Sequence, residues 1–258
     1  MRNRRVSLLT ALAVALEFSL AANLLLYRQG REYYVQLNAT RLDPLGLKAF
    51  PVEPTRVGPD QADPAKAKLA KAKPVVLFLG DSRAAAWPAP AQSDDFTFVN
   101  RGISAQTTAQ VLRRYPYHVQ GLEPDTVVLE VGINDLKAIP LFPGQRAAIV
   151  AECKANIQQI VALSTGQGAR VILATIFPLG RIPPQRRPFW SDEVAPAIAE
   201  VNRYLATLAS DDVQLFDAAA ILSNRQGTVD PRYSHDFLHL NRAGYDALNR
   251  ELARVLRP

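Results

Sequence analysis

The sequence predicts a three-layer α/β/α domain built on a doubly wound, five-stranded parallel sheet, preceded by an N-terminal membrane-anchor helix. Short apolar runs rich in Val and Ile are too continuous for one-sided burial, which indicates strands covered on both faces. These runs alternate with segments of helical periodicity, as in doubly wound sheets. An arginine cluster followed by an apolar stretch of bilayer length predicts the anchor.

Residues 1–31 are predicted to form a signal-anchor or transmembrane helix with cytoplasmic arginines in front. Three arginines within residues 2–5 precede the apolar stretch 6–27, which is long enough as a helix to cross a bilayer. The arginines would stay cytoplasmic, so the rest of the chain would be extracytoplasmic, in the periplasm or its equivalent. Glu17 and Asn23 are polar exceptions within this stretch.

A cleaved signal peptide is the alternative for the N-terminus, and it would give a secreted protein. Ser19 and Ala21 would be the small residues before the cut. Apolar residues continue beyond that site through residues 24–26, which favours an uncleaved anchor. Both alternatives export the rest of the chain.

Residues 32–73 have the composition of a linker. Six prolines and a run of Ala and Lys lie within residues 44–74, which is typical of an extended, semi-rigid segment without a core of its own. The linker would hold a globular domain, residues 74–258, away from the membrane.

The globular domain is predicted to contain five strands and four helices, and ligands in such a sheet bind at the carboxyl ends of the strands. The apolar runs that predict the strands are Val75–Leu79, Phe96–Val99, Thr126–Val131, Val171–Ile176 and Val213–Phe216. The helical patterns are Thr107–Tyr115, Gln145–Leu163, Glu193–Ala209 and Arg242–Leu256.

Composition excludes several functions. The 258 residues are 48% hydrophobic and 21% charged, which suits one α/β domain with appendages and not a disordered chain. The formal charge is +6, but five Arg against one Glu lie in residues 1–31, so no basic face for nucleic acid is expected. Cys153 is the one cysteine, which excludes an internal disulfide and indicates a core thiol.

Four short segments carry polar residues just after a predicted strand or beside the last helix. Ser82 follows the first strand, and a serine hydroxyl becomes nucleophilic only when a base takes its proton and a third group orients that base. His239 follows Asp236 by three residues, so both can lie on one turn with one imidazole nitrogen free for Ser82. The segments are "GDS" at 80–82, "VNRGIS" at 99–104, "VGIND" at 131–135 and "SHDFLHLNRAGY" at 234–245.

The same segments offer hydrogen-bond donors for the oxyanion of a tetrahedral intermediate. The backbone N–H of Ser82 is one candidate. Gly102 has no side chain to block a second backbone N–H, and Asn134 offers a neutral amide N–H where an aspartate would repel the oxyanion. The predicted oxyanion hole is therefore Ser82, Gly102 and Asn134.

These four segments resemble the SGNH hydrolases, also called GDSL esterases and lipases, over about residues 74–256. They are most like the branch with platelet-activating-factor acetylhydrolase catalytic subunits and lysophospholipase-like esterases. The resemblance implies a flavodoxin-like sheet and a serine esterase that hydrolyses acyl or acetyl esters through an acyl-enzyme on Ser82, with His239 as base and Asp236 orienting it. It implies no cofactor and no metal, and a small ester or an acylated lipid or sugar as substrate.

Two other functions are compatible with these residues. One is a cell-envelope O-acyltransferase using the same triad, and the other is a non-catalytic envelope-binding module. A divalent metal held by Asp81, Asp135 and Asp236 with the two late histidines is disfavoured, because none of the predicted helices supplies a His-x-x-x-His pair or a Glu-rich ligand set. Asp81 and Asp135 are instead expected to hold loops through backbone hydrogen bonds.

A substrate rim is predicted from residues near the nucleophile and in the proline-rich loop after the fourth strand. Arg83 follows the nucleophile directly and bears on specificity. A loop that only covers the domain surface is the alternative for the aromatic pair. The rim candidates are Arg83, Trp87, Phe189 and Trp190.

Overall fold

The computed structural model describes residues 2–51, 73–91 and 94–257, without the side chains of residues 2–8, 188 and 189. Most of the predicted linker, residues 52–72, lies outside the described residues. The chain divides into two compact units, Met1–Ala49 and Phe50–Pro258.

The first unit is dominated by one helix, α1, which spans Arg2–Leu42. Its large apolar side chains from Leu9 onward are exposed, and by length and composition the helix could cross a membrane, although a signal sequence passes the same test. The helix continues beyond residue 31, where the linker was predicted to begin. No proline stands between that position and Pro44, so nothing in the backbone stops the helix earlier.

The second unit contains one sheet, which the described residues build from five parallel strands. The strand order is β2-β1-β3-β4-β5. The predicted fold class is confirmed, and all five predicted strands are present with small shifts in their ends. The strands are β1 Val75–Gly80, β2 Thr97–Gly102, β3 Thr126–Glu130, β4 Arg170–Ala174 and β5 Val213–Phe216.

Helices connect the strands, and two further helices follow the last strand. The four predicted helices are present as α3, α5, α6 and α8, whereas α2, α4 and α7 are too short, at four or five residues, to show a period in the sequence. The helices are α2 Ser82–Ala85, α3 Thr108–His118, α4 Ile133–Leu136, α5 Arg146–Gly166, α6 Val194–Ala206, α7 Ala218–Leu222 and α8 Arg242–Leu256. Short 3₁₀ turns lie at Gln120–Leu122, Ile139–Leu141, Pro143–Gln145, Pro184–Phe189 and Pro231–Tyr233.

Alternate side chains of the strands enter two apolar clusters, one on each face of the sheet, among the described residues. Leu77 and Leu79 of β1 pack with α3, α5 and α6, while Val76 and Phe78 pack with α7 and α8. Both faces are therefore covered, which is why the strands are continuous apolar runs. The predicted core thiol, Cys153, is fully buried in the first cluster.

The register of the sheet brings the carboxyl ends of its central strands level. Gly80 at the end of β1 pairs with Gly102 of β2 and with Glu130 of β3. In this strand order the chain reverses its winding direction beside β1, and ligands bind in the crevice at that point. Ser82 follows β1 and Asn134 follows β3, so the sheet alone brings the two to the same edge.

Candidate active site

Ser82 is held at the end of β1 by a close approach of two strands. Gly80 has φ 153°, and an added Cβ would lie 1.7 Å from the carbonyl oxygen of Glu130, so only glycine fits there. Asp81 then caps α2, because its Oδ1 accepts the backbone N–H of Arg83 at 2.9 Å. Ser82 is the first residue of α2 and is half-buried.

Ser82, His239 and Asp236 form a continuous hydrogen-bonded chain. The Ser82 Oγ lies 3.1 Å from His239 Nε2, and His239 Nδ1 lies 2.9 Å from Asp236 Oδ2. Both distances are in hydrogen-bond range. With Nδ1–H donating to Asp236, His239 Nε2 is left to accept from the Ser82 hydroxyl. This is the same-turn geometry that the three-residue spacing predicts.

The carboxylate of Asp236 is fixed and kept ionised by its donors. Its Oδ1 accepts the backbone N–H groups of Leu238 and His239, each at 2.7 Å. Partial burial acts to raise the pKa of Asp236, but the hydrogen bond from the His239 ring and the two backbone bonds outweigh it and lower the pKa below its ordinary value. A charged Asp236 is therefore maintained beside the imidazole.

Two hydrogen-bond donors that lie outside the loop of Asp236 and His239 hold this loop at the edge of the sheet. The backbone N–H of Gly180, in the loop after β4, donates to the carbonyl of Phe237 at 2.9 Å. The Arg83 Nε donates to the carbonyl of Leu238 at 3.0 Å. These bonds engage the two carbonyls that lie between the acid and the base in the chain.

Asn134 lies in α4 at the end of β3, with 7% of its surface exposed. Its Nδ2 donates one hydrogen to the carbonyl of Gln106 at 2.9 Å, and an amide has a second hydrogen to give. The residue before Gln106 is Ala105, which has φ 64°, a left-handed conformation that costs alanine free energy. Sequence reasoning missed Ala105, because an alanine carries no signal for a positive φ.

The structure contradicts the predicted donor role of Gly102. Its backbone N–H donates to Asn100 Oδ1 at 2.8 Å and is thus already engaged. An added Cβ at Gly102 would lie 2.2 Å from the backbone nitrogen of Ala85. The glycine is therefore required for β2 to pack against α2, the helix that begins with Ser82.

Two of the four predicted rim residues are wrong. Arg83 and Trp87 are each 1% exposed, so neither lines an open rim. The Trp87 ring packs among Phe78, Phe177 and Tyr245, and its Nε1 donates to a side-chain oxygen of α8. Arg83 lies in α2 and Trp87 lies two residues after the end of α2, and both side chains turn toward the interior. Nothing in their residue types shows this direction from sequence.

The remaining rim candidates lie in the loop after β4. Trp190 is half-buried, and its ring packs edge-to-face against Phe237 at 5.3 Å between centroids. Trp190 therefore adjoins the loop of Asp236 and His239, and its rim role stays a prediction. The side chain of Phe189 lies outside the described residues.

The two loop aspartates have the roles that the sequence predicts. Asp81 accepts the backbone N–H of Arg83, and Asp135 accepts the backbone N–H of Thr108 at 2.9 Å and its hydroxyl at 2.6 Å. Within residues 2–51, 73–91 and 94–257, no group of three or more His, Cys, Asp or Glu side chains is placed to hold a metal ion.

Comparison with known proteins identifies the family. Residues 77–247 match the GDSL-like lipase/acylhydrolase family. The chain belongs to this family. It is also 28% identical over 142 residues to an arylesterase from Vibrio mimicus, an alignment that covers 48% of this chain and 65% of that protein. The GDSL-family chain thus spans less than two thirds of the length of this relative.

Solved structures agree with the family assignment. A Streptococcus pneumonia protein provisionally described as a platelet activating factor is 26% identical, with a TM-score of 0.59, over 73% of this chain and 86% of that one. An acetyl xylan esterase is 20% identical, with a TM-score of 0.57, over 71% of this chain and all of that one, which shows the shared fold. The chain therefore belongs to the GDSL-like lipase/acylhydrolase family and shares its fold with these solved structures.

Proposed function

We propose that this GDSL-family enzyme is a serine esterase that hydrolyses acyl or acetyl esters through an acyl-enzyme on Ser82. The hydrogen-bonded chain from Ser82 Oγ through His239 to Asp236, at 3.1 and 2.9 Å, carries the proposal. It has the nucleophile–base–orienter order that acyl transfer requires. The family match supports the same reaction class.

Each half-reaction uses the same three side chains. Ser82 Oγ attacks the ester carbonyl carbon while its proton passes to His239 Nε2, and the tetrahedral oxyanion accepts hydrogen bonds from the Ser82 backbone N–H and the second Asn134 amide hydrogen. His239 then protonates the leaving alcohol as the ester C–O bond breaks. A water molecule, deprotonated by His239, attacks the acyl-enzyme. The bond from the acyl carbon to Ser82 Oγ then breaks, His239 returns the proton to Oγ, and the acid is released, while Asp236 stabilises the imidazolium formed in each half-reaction.

Replacing Ser82 with Ala tests the nucleophile. The variant is expected to lose hydrolysis of p-nitrophenyl acetate and labelling by a fluorophosphonate probe, because both need the Oγ, while the unfolding transition stays unchanged. The matched control is Ser210→Ala, which removes an exposed hydroxyl at the amino end of β5. Retained turnover in Ser82→Ala, or a probe adduct on another residue of the unaltered protein, contradicts the proposal.

The open geometry of the site bears on the substrate. The side chains of His239 and Asp236 are 40% and 43% exposed, so the base is not enclosed in a deep acyl tunnel. An open site suits a short acyl group whose alcohol part lies outside on the protein surface. We therefore favour short-chain esters of aryl or sugar alcohols over long-chain lipids as substrates, in keeping with the arylesterase and acetyl xylan esterase among the similar proteins.

An acyltransferase would use the same acyl-enzyme and replace water by a sugar hydroxyl. Hydrolysis assayed with and without an acetyl acceptor such as a chito-oligosaccharide separates the two, since transfer yields an acetylated sugar and hydrolysis yields acetate. A purely binding module would leave the Ser82 Oγ unlabelled by the fluorophosphonate probe.

The location of the enzyme follows from α1. We propose that α1 anchors the enzyme in a membrane, with residues 2–5 cytoplasmic and the catalytic domain, residues 74–258, extracytoplasmic, and with residues 32–73 as the connection. The apolar length of α1 and the arginines at its amino end support this.

A further inference from the structure

Arg83 is a buried cation directly beside the nucleophile in the chain. It is 1% exposed, and its backbone carbonyl accepts the hydroxyl of Tyr245 in α8 at 2.9 Å. The side chain therefore does not reach substrate. A buried arginine is weak evidence for stability, because removing its charge from water offsets most of what its pairing gains. A role in the reaction is the better explanation for its place.

The guanidinium joins two loops that meet at the catalytic edge. Its Nε donates to the carbonyl of Leu238 at 3.0 Å, and its Nη1 donates to the carbonyl of Phe177 at 3.1 Å. Leu238 precedes His239, while Phe177 lies in the loop after β4, and the Phe177 ring also contacts the guanidinium at 5.1 Å from its centroid. The guanidinium presents its donors to the two carbonyls in a rigid, planar fork, and the ammonium of lysine, with three rotatable donors, does not reproduce this fixed geometry.

Two buried carboxyls balance this cation below the active site. Glu130 Oε1 lies 3.8 Å from Arg83 Nη1, and both Glu130 and Asp81 are fully buried. Burial raises the pKa of both carboxyls, that of Glu130 also because Asp81 is its neighbour, and the Arg83 charge lowers both only in part.

We propose that Arg83 is a positioning residue whose guanidinium holds the loop of Asp236 and His239 at the distance from which His239 Nε2 reaches the Ser82 Oγ. The backbone of Ser82 and Arg83 places the nucleophile, and the side chain of Arg83 places the base, His239. The inference rests on the proposed roles of Ser82 and His239. It extends them by naming the contact that sets their separation, the bond from Arg83 Nε to the Leu238 carbonyl.

The test compares Arg83→Lys with a matched arginine in the full chain in detergent. Arg170→Lys is the control. Arg170 Nη1 also donates to a backbone carbonyl, that of Val255, but Arg170 lies at the amino end of β4, opposite the catalytic edge of the sheet. Active sites are titrated with a fluorophosphonate probe, and kcat and KM for p-nitrophenyl acetate are given per titrated site. Arg83→Lys is expected to lower kcat and the probe's labelling rate by about 10- to 100-fold, as small misplacements of catalytic groups do.

The KM of Arg83→Lys should stay within about threefold of the unaltered protein, because ground-state binding does not use the separation of Ser82 and His239. Arg170→Lys should change neither constant. If Arg83→Lys does not fold, Arg83→Met combined with Glu130→Gln removes the cation and one acid together, and the same loss of kcat per site is expected.

Two outcomes overturn the inference. A folded Arg83 variant with an unchanged kcat per titrated site would show that Arg83 affects only how many molecules fold. An equal loss of kcat per titrated site in Arg170→Lys would show a general effect of replacing an arginine. Failure of the proposed function is distinguishable, because it appears in the unaltered protein as a probe adduct on a residue other than Ser82.

Discussion

At the level of single residues, Asn134 is the side chain whose proposed role is most sharply measurable. Asn134→Ala is expected to lower kcat for p-nitrophenyl acetate by about 10²- to 10³-fold, the usual loss for one oxyanion donor, with little change in KM. The variant also loses the bond to the Gln106 carbonyl, so the free energy of unfolding should fall by about 1 kcal/mol. Steady-state kinetics and urea unfolding measure the two effects separately.

A second variant separates the effect of losing the hydrogen-bond donor from the effect of losing the volume of the Asn134 side chain. Asn134→Asp keeps the size but places a negative charge where the oxyanion develops, so its kcat should fall at least as far as that of Asn134→Ala at neutral pH. A fall of less than threefold in either variant, with the protein folded, would remove Asn134 from the oxyanion hole.

What the sequence reveals about individual residues depends on whether the information is local. The spacing of Asp236 and His239 is a local relation, and the structure has the hydrogen bond that it predicts. The direction of a side chain after a turn is not local, which is why Arg83 and Trp87 were predicted at the surface and are buried. Glu130 is an acid at the end of the largely apolar strand β3, and it was the one feature of the sequence that indicated a buried cation nearby.

Between elements, Asp135 couples the start of α3 to α4, and this contact is expected to depend on pH. Burial raises the pKa of Asp135 from 3.8 to about 6, although the hydrogen bonds from Thr108 act to lower it. The folded state therefore holds the proton more tightly than the unfolded state, and stability falls as pH rises from about 4 to 6. The contribution over this window is roughly 3 kcal/mol.

Asp135→Asn removes this titration. The free energy of unfolding of the variant, minus that of the unaltered protein, should therefore rise between pH 4 and 7 by up to about 3 kcal/mol, whatever fixed cost the amide adds. Urea unfolding across that range measures it. Asp211→Asn, at an exposed position, is the control and should give a flat difference. A flat difference for Asp135→Asn as well would contradict the raised pKa.

The elements themselves were predictable to different degrees. All five strands could be predicted because each is an apolar run buried on both faces, and α3, α5, α6 and α8 because each repeats an apolar face over several turns. The short helices α2 and α4 could not, since four residues show no period. Their place is set by tertiary contacts, such as the approach of β2 to α2 that requires glycine at position 102.

For the whole molecule, the strand order explains why distant segments can share one site. Ser82 and His239 are separated by 157 positions, yet β1 is central in the sheet and the loop before α8 returns to its carboxyl end, where the two side chains meet at 3.1 Å. In a parallel sheet the carboxyl ends of all strands lie at the same edge, so residues that follow different strands lie close together there. The joint order of the four segments was therefore more informative than any one of them.

The length of α1 leads to the last prediction, which concerns where the molecule resides. Its 41 residues extend about 62 Å at 1.5 Å per residue. The hydrocarbon core of a bilayer needs only about 30 Å, so the helix can cross it and continue outside. A signal peptide cut after Ala21 would divide this helix within its apolar part. The full chain is therefore expected to remain in the membrane fraction after an alkaline carbonate wash, with its N-terminus intact.

N-terminal sequencing and the mass of the extracted protein measure this directly. A chain starting at residue 50, the boundary of the second compact unit, is the control and should be released by the same wash. Its kcat on p-nitrophenyl acetate should match that of the full chain, because a water-soluble ester reaches Ser82 whether or not a membrane is near. A mature N-terminus directly after Ala21, on protein free in the soluble fraction, would replace the anchor by a signal peptide and leave the esterase proposal untouched.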